Sequence, residues 1–335
     1  MVIHTSSHPR AGLIGNPSDG YHGKTISFII RNYSARVTLW ESPELEIQPA
    51  RRDEMIFETI EALVEDTRTF GYYGGLRLLK ASVKRFYDYC RDEDLGLHDQ
   101  NFTIRYSSDI PCHVGMAGSS AIITACFRAL MKFYGVTIDP AILANVVLSV
   151  ENDELFIAAG LQDRVVQAYE GLVFMDFAEE YFERMGHGHY VELDPASLPP
   201  LYIAYSTELS EGTEVFHNDI RGRFNHQESK VVDAMTEWAE LTHQARELLV
   251  AGKGSEIGPL INRNFDLRKS IYQISAGNLK MVETARSIGA SAKFTGSGGA
   301  IVGIYESEEM FKTLCEKLVL LGVDVIKPQI TVTTL

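Results

Sequence analysis

Apolar and polar residues alternate through "TISFIIRNYSARVTLW" and "LEIQ", the period-two rhythm of half-buried strands. A first strand and a polar Gly/Asn/Pro/Asp turn at 15–20 precede them. From 53 to 90 the spacing is mostly helical, interrupted at "GYYGG" (71–75), and "NFTIRYSSDI" (101–110) returns to alternation. "SSAIITACFRALMKFYG" (119–135) predicts a mostly buried helix that Gly135 ends. Asp139 and Pro140 read as an N-cap and a first helical proline, opening "AILANVVLSVENDELFIAAG". "GLVFMDF" (171–177) predicts a strand. The stretch 178–200, with its charges, Gly/His residues and prolines, carries the clearest boundary signal and divides 1–190 from 191–335. Beyond it the pattern predicts a strand at 201–206 and helices over 227–251 and 256–288. A strand–loop–strand at 291–305, a helix at 307–321 and a last strand at 323–333 complete it. Mixed strands followed by helices argue for α+β in both halves, not for one regularly alternating parallel sheet.

One stretch carries more small residues than a turn or a helix start requires. "IPCHVGMAGSSAI" (110–122) places Gly115 and Gly118 where a strand gives way to a helix, so the backbone can approach a ligand closely. The first helical amides have no partner within the helix, and the macrodipole adds about half a positive charge there. Ser119 and Ser120 can cap that end, bond a phosphate or ligate magnesium. The stretch thus reads as a phosphate cradle or, equally on spacing alone, as an ordinary Ser-capped helix. "SDGYHGKT" (18–25) has Ser18 where a Walker A loop needs glycine, and "GSGGAI" (296–301) ends on Ile301 where a dinucleotide fingerprint needs its last glycine. A second loop, "KFTGSGGAIVGI" (293–304), permits close approach to a ligand or to the first loop, or forms a tight hairpin. A polar turn, "PRAGLIGNPSD" (9–19), gathers Arg10, Asn16, Ser18 and Asp19 around a strand end.

Composition narrows the classes. The 335 residues suggest about two domains, and 45% apolar residues suit globular cores. No stretch approaches the ~20 continuous apolar residues of a membrane span, and the N-terminus lacks the three regions of a signal peptide. Four scattered cysteines without a CxxC pair read as reduced core residues of a cytoplasmic protein. A net charge of −14 argues against nucleic-acid partners and makes any anion site a local matter of amides and a few cations.

Three polar loops in this order resemble the GHMP kinases, the superfamily of galactokinase, homoserine kinase, mevalonate kinase and phosphomevalonate kinase. "PRAGLIGNPSD" resembles its first motif, "PCHVGMAGSSA" its phosphate loop and "KFTGSGGA" its third motif. The text "GYYGGLRLL" (71–79), "AGLQDRVVQAYEGLVFMDF" (159–177) and "NRNFDLR" (262–268) resembles the glucuronokinase branch. The resemblance implies a two-domain α+β fold, with an N-terminal domain like ribosomal protein S5 and a ferredoxin-like C-terminal domain. It implies ATP and Mg²⁺ as cofactors, and a sugar or uronic acid as the small-molecule partner of a monomer or homodimer.

It also implies roles. Asp163 in "GLQDRV" matches the base, and Arg10 the basic residue that orients it and balances its charge. Gly115, Met116, Ala117, Gly118, Ser119, Ser120 and Ala121 match the ATP-phosphate loop. Ser120 with Glu151 matches the magnesium pair, Glu154 standing as the alternative three residues on. Asn16, Asp19, Gly296, Ser297 and Gly298 belong to the acceptor side, with Arg164 or Arg268 available for a uronic acid's carboxylate. Where galactokinases read G-E-H-T-D, this chain has Gly15-Asn16-Pro17-Ser18-Asp19, which speaks against galactose. The implied reaction is phosphorylation of D-glucuronate at its anomeric hydroxyl. Galacturonate, a heptose, a heptose phosphate or a mevalonate-type acceptor are variants, and an ATP-dependent decarboxylase or a non-catalytic sensor are other classes with these loops.

Overall fold

The strands expected near the N-terminus form, but they separate into two sheets. The computed structural model describes residues 1–50, 53, 58–60, 74–112, 114–206 and 220–331. The chain divides into two compact units: one holds Met1–Pro9, Tyr33–Cys112 and Ala117–Ala159, the other Arg10–Asn32, a short piece ending at Met116, and Gly160 onward. These units are not the halves on either side of 190/191, because the chain crosses between them more than once.

In the first unit a sheet is ordered Val2–Ser7, Ala35–Glu41, Phe102–Ser108, Glu46–Ile47, antiparallel except for the last pair. Alternation shows directly in Ala35–Glu41, where Ala35, Val37 and Leu39 are buried and the residues between them are not. The helix Gly118–Tyr134 covers one face of this sheet, tied to it by the Thr5 hydroxyl donating to the Ala125 carbonyl at 2.7 Å and by Arg128 donating to the Ser6 carbonyl at 2.8 Å. Gly135 ends that helix in the left-handed region, φ 69°. Gly75–Asp92 packs beside it, and the Asp53 carboxylate accepts from the amide of Gly75 at 2.8 Å. Asp139 caps Pro140–Ser149 through the Ala141 amide, and the chain then widens into a single π turn, Val150–Glu154. Of the helical stretch expected over 53–90, residues 54–57 and 61–73, with part of its "GYYGG" break, lie outside the described residues.

The second unit contains two antiparallel sheets, ordered Arg10–Ile14, Lys24–Ile29, Leu172–Asp176, His189–Leu193 and Lys293–Phe294, Ala300–Ile304, Leu201–Tyr205, Asp324–Ile326. The second sheet buries Tyr202, Phe294 and Ile301 against Phe265, Met281, Leu314 and Leu318 from three helices. The long helix expected at 256–288 is two, Gly258–Ile271 and Ala276–Ser287. Tyr272 is extended, and the Ser275 hydroxyl starts the second helix by capping the Asn278 amide. Among the described residues the terminal strand covers Asp324–Ile326 and stops before Pro328, which has no amide for a ladder. Among the described residues no helix is long and apolar enough to cross a membrane.

Candidate active site

In the second unit Arg10 opens its strand with its side chain buried, and a buried guanidinium must spend its N–H groups on acceptors. Its Nε donates to Asp163 Oδ1 at 2.5 Å, and its Nη1 to the carbonyls of Gly115 at 2.6 Å and Thr295 at 3.3 Å. One side chain therefore joins the first motif, the start of the phosphate loop and the third loop. The backbone does the same: the Arg10 amide donates to Met116 and the Gly12 amide to Thr295. Gly296 has to be glycine, since a Cβ there would run into the Gly115 carbonyl and the Arg10 guanidinium. Of the two partners foreseen for the third loop, the first loop is the one it meets within this unit.

Asp163 lies in the first turn of Leu161–Tyr169, where the helix dipole favours a negative charge. Its second oxygen faces Arg164 Nη1 at 3.3 Å, so two guanidiniums flank one carboxylate. Asp19 stands close by, and a side chain on Gly160 would reach its Oδ2. Burial pushes the Asp19 carboxyl up to about 6, with the charge of Asp163 adding to it; Arg10 and the backbone bonds at Asp19 and Gln162 oppose the rise. The arrangement places two carboxylates beside one arginine, one of them with its proton affinity raised by burial.

Three further cations of this unit, Arg164, Arg268 and Lys293, are also committed. Arg164 Nη1 donates to the Gly160 carbonyl at 2.8 Å. Arg268 donates to the Gly296 and Ser297 carbonyls at 2.8 and 2.9 Å, with its plane over the rings of Tyr272 and Phe294. The structure thus gives both arginines expected at an acceptor carboxylate to the protein itself. Lys293, fully buried, donates to the Gly12 carbonyl and Asn16 Oδ1, and burial together with Arg268 and Arg10 holds its amine well below the usual lysine range. Asn264 accepts from the Gly15 amide at 2.7 Å and donates to the Asn16 carbonyl at 3.1 Å, fixing the first motif from the helix Gly258–Ile271. Asn264 and Lys293 were not picked out by sequence reasoning. Asn264 lies within "NRNFDLR", but nothing in its spacing says which way its amide faces.

The first unit holds Ala117–Ala121, the rest of the stretch expected to bind phosphates. Gly118–Tyr134 starts with Ala117 in the left-handed region at φ 62°, which costs a non-glycine residue about 1 kcal/mol, and no side chain caps it. The amides of Gly118, Ser119 and Ser120 precede the first intrahelical bond, which runs from Ala121 to Ala117 at 3.3 Å. A Ser-capped start is therefore not what forms. The Ser119 hydroxyl donates to Glu151 Oε1 at 2.7 Å, while the Ser120 hydroxyl turns back to the Ala117 carbonyl at 3.2 Å. Glu151 is 1% exposed. Glu154 instead takes Lys84 at 2.7 Å on the surface, so the π turn sends the two glutamates to different environments. Among the described residues no group of three or more His, Cys, Asp and Glu side chains could hold a metal.

Thus Arg10, Asn16, Asp19, Gly115, Met116, Asp163, Arg164, Arg268 and Gly296–Gly298 belong to one unit, and Ala117–Ala121 with Glu151 to the other. The first unit can hold an anion on helix amides and a hard cation on a buried carboxylate and hydroxyl; the second can accept a proton on a carboxylate flanked by arginines.

Residues 78–171 match the model of the GHMP kinases N terminal domain. The chain is 43% identical to probable glucuronokinase 2 of Arabidopsis thaliana over 90% of its own length and 84% of that protein's. It is 42% identical to glucuronokinase 1 of the same plant with the same coverage. The fold is shared with Streptococcus pneumoniae phosphomevalonate kinase, solved in complex with phosphomevalonate and AMPPNP: TM-score 0.75, 15% identity, 98% and 99% of the two chains covered.

Proposed function

The chain belongs to the GHMP kinase superfamily, in its glucuronokinase branch, and from that premise we propose that it transfers the γ-phosphoryl group of ATP to the anomeric hydroxyl of D-glucuronate. The observation that carries this reading is Asp163, held between Arg10 and Arg164 at the start of its helix. Phosphoryl transfer needs an acceptor oxygen held in line and relieved of its proton, with the migrating charge neutralised.

In this reading the amides of residues 115–121 take the ATP phosphates. Asp163 accepts the proton of the anomeric hydroxyl as that oxygen bonds to phosphorus and ADP departs. Arg10 fixes the direction of the carboxylate, and Asp19 accepts from a neighbouring sugar hydroxyl. Asn264 and Lys293 hold the first motif in place beneath them. A buried carboxylate and a hydroxyl are the hard oxygen donors Mg²⁺ prefers, so Glu151 with a hydroxyl of the Ser119–Ser120 pair would hold that ion. Bound there, Mg²⁺ supplies charge neutralisation on the phosphates.

The test is ADP release across D-glucuronate, D-galacturonate, neutral hexoses, heptoses and mevalonate, followed by phosphorus NMR of the product. The reading predicts turnover with glucuronate and a phosphorus coupled to the anomeric proton. Turnover only with another acceptor, release of CO₂, or ATP binding without sugar-dependent ADP release would each overturn it.

A further inference from the structure

Resting on that reading of the acceptor, we propose that Arg221 is the residue that recognises the acceptor's carboxylate. A uronate differs from its parent sugar by one anionic group, and the group that matches it in shape and charge is a guanidinium with N–H donors to spare. The cations around the first motif have none in evidence for this purpose. Arg10, Arg164 and Arg268 are buried and directed onto Asp163 or loop carbonyls, and Lys293 is buried on Gly12 and Asn16. Lys24 is paired with Asp176 at 3.0 Å.

Arg221 differs on each count. It is exposed, and no carboxylate among the described residues lies within ion-pair distance of it. Among the described residues its hydrogen bond is a long one, 3.3 Å from Nη2 to the carbonyl of Gly20, the residue that follows Asp19. Its guanidinium carbon stands 5.3 Å from the centre of the Tyr21 ring, which supports the plane without using its donors. Tyr21 is itself fixed, buried and edge-on to Phe224 at 4.9 Å. Gly20 leaves room for this, since a side chain there would press on Nη2 at 3.2 Å. Asp19, Gly20 and Tyr21 thus carry a hydroxyl acceptor at one end and a propped guanidinium at the other. In a pyranuronate, C1 and C5 flank the ring oxygen, so the anomeric hydroxyl and the carboxylate leave the ring a few bonds apart. A sugar presenting the first to Asp163 beside Asp19 offers the second to a cation on this segment.

The test compares wild-type enzyme, Arg221→Met and Arg221→Lys with D-glucuronate and with the uncharged isostere D-glucuronamide, ATP saturating. For Arg221→Met the KM for glucuronate rises about 30-fold, the worth of one charge-assisted pair. The loss falls on KM and not on kcat. The preference for glucuronate over glucuronamide collapses, and Arg221→Lys restores part of it. If wild type uses glucuronate and Arg221→Met keeps its preference over glucuronamide, the assignment is overturned while the proposed function stands. If wild type phosphorylates neither compound, the function fails first and the assignment with it.

Discussion

Arg268 and Arg221 are three-dimensional opposites within one compact unit. Arg268 is 6% exposed, stacked on two rings and bonded to two carbonyls of the third loop; Arg221 is exposed, propped on one ring and barely bonded. A buried cation has to be satisfied by the protein, so it becomes part of the scaffold and is unavailable to a ligand. An exposed cation with idle donors costs the fold little and can be given to substrate. The first unit repeats the contrast with carboxylates, Glu151 buried on Ser119 and Glu154 paired with Lys84 at the surface.

Substitutions sharpen the comparison in order of effect. Arg268→Leu removes two charge-assisted bonds and the ring stacking, and should cost about 3 kcal/mol read from the urea midpoint, whereas Arg221→Met should stay within about 0.5 kcal/mol of wild type. Equal midpoints for the two variants would erase the distinction. Asp19→Asn tests the opposite sign. Because the carboxyl is raised to about 6, its contribution is fully present below the ordinary carboxylate range, near pH 4, and is lost as pH rises through 6. Asparagine has no charge to bury, so the variant should gain on the order of 2 kcal/mol at pH 7 and nothing at pH 4, while losing sugar-dependent turnover. A stability difference independent of pH would show that Asp19 is not held this way. The smallest effect belongs to Glu154→Gln, whose exposed pair with Lys84 is worth under about 1 kcal/mol. It should leave the magnesium titration of ADP release where it is, and Glu151→Gln should move it to higher metal. The reverse result would exchange their roles.

The same contrast explains what could be read from sequence. The helix from 118 and its glycine stop were legible because apolar density and Gly135 are local signals. Asp139–Pro140 was legible as a cap for the same reason. The family was legible through the text of the three loops, and the roles of those loops and of Asp163 are read from that resemblance. The fates of the arginines were not legible. Arg164, Arg268 and Arg221 look alike in a sequence, and only the carbonyls that meet them decide which are occupied: Gly160, four residues before Arg164, and Gly296 and Ser297, far along the chain from Arg268. Helical spacing alone did not separate Glu151 from Glu154, since residues three apart share a face, and only the family resemblance favoured Glu151; the π turn breaks that periodicity. The interleaving of the two units also has no local signature, because it depends on which sheet each N-terminal strand joins.

The claim beneath all of this is that Asp163 takes the acceptor's proton and that its arginines hold it there for that purpose. The direct measurement is glucuronate-dependent ADP release by Asp163→Asn beside its affinity for ATP from titration calorimetry. The account predicts turnover reduced by about 10²- to 10⁴-fold, with ATP affinity within about threefold of wild type. Near-normal turnover, or ATP affinity that collapses along with it, would contradict the account.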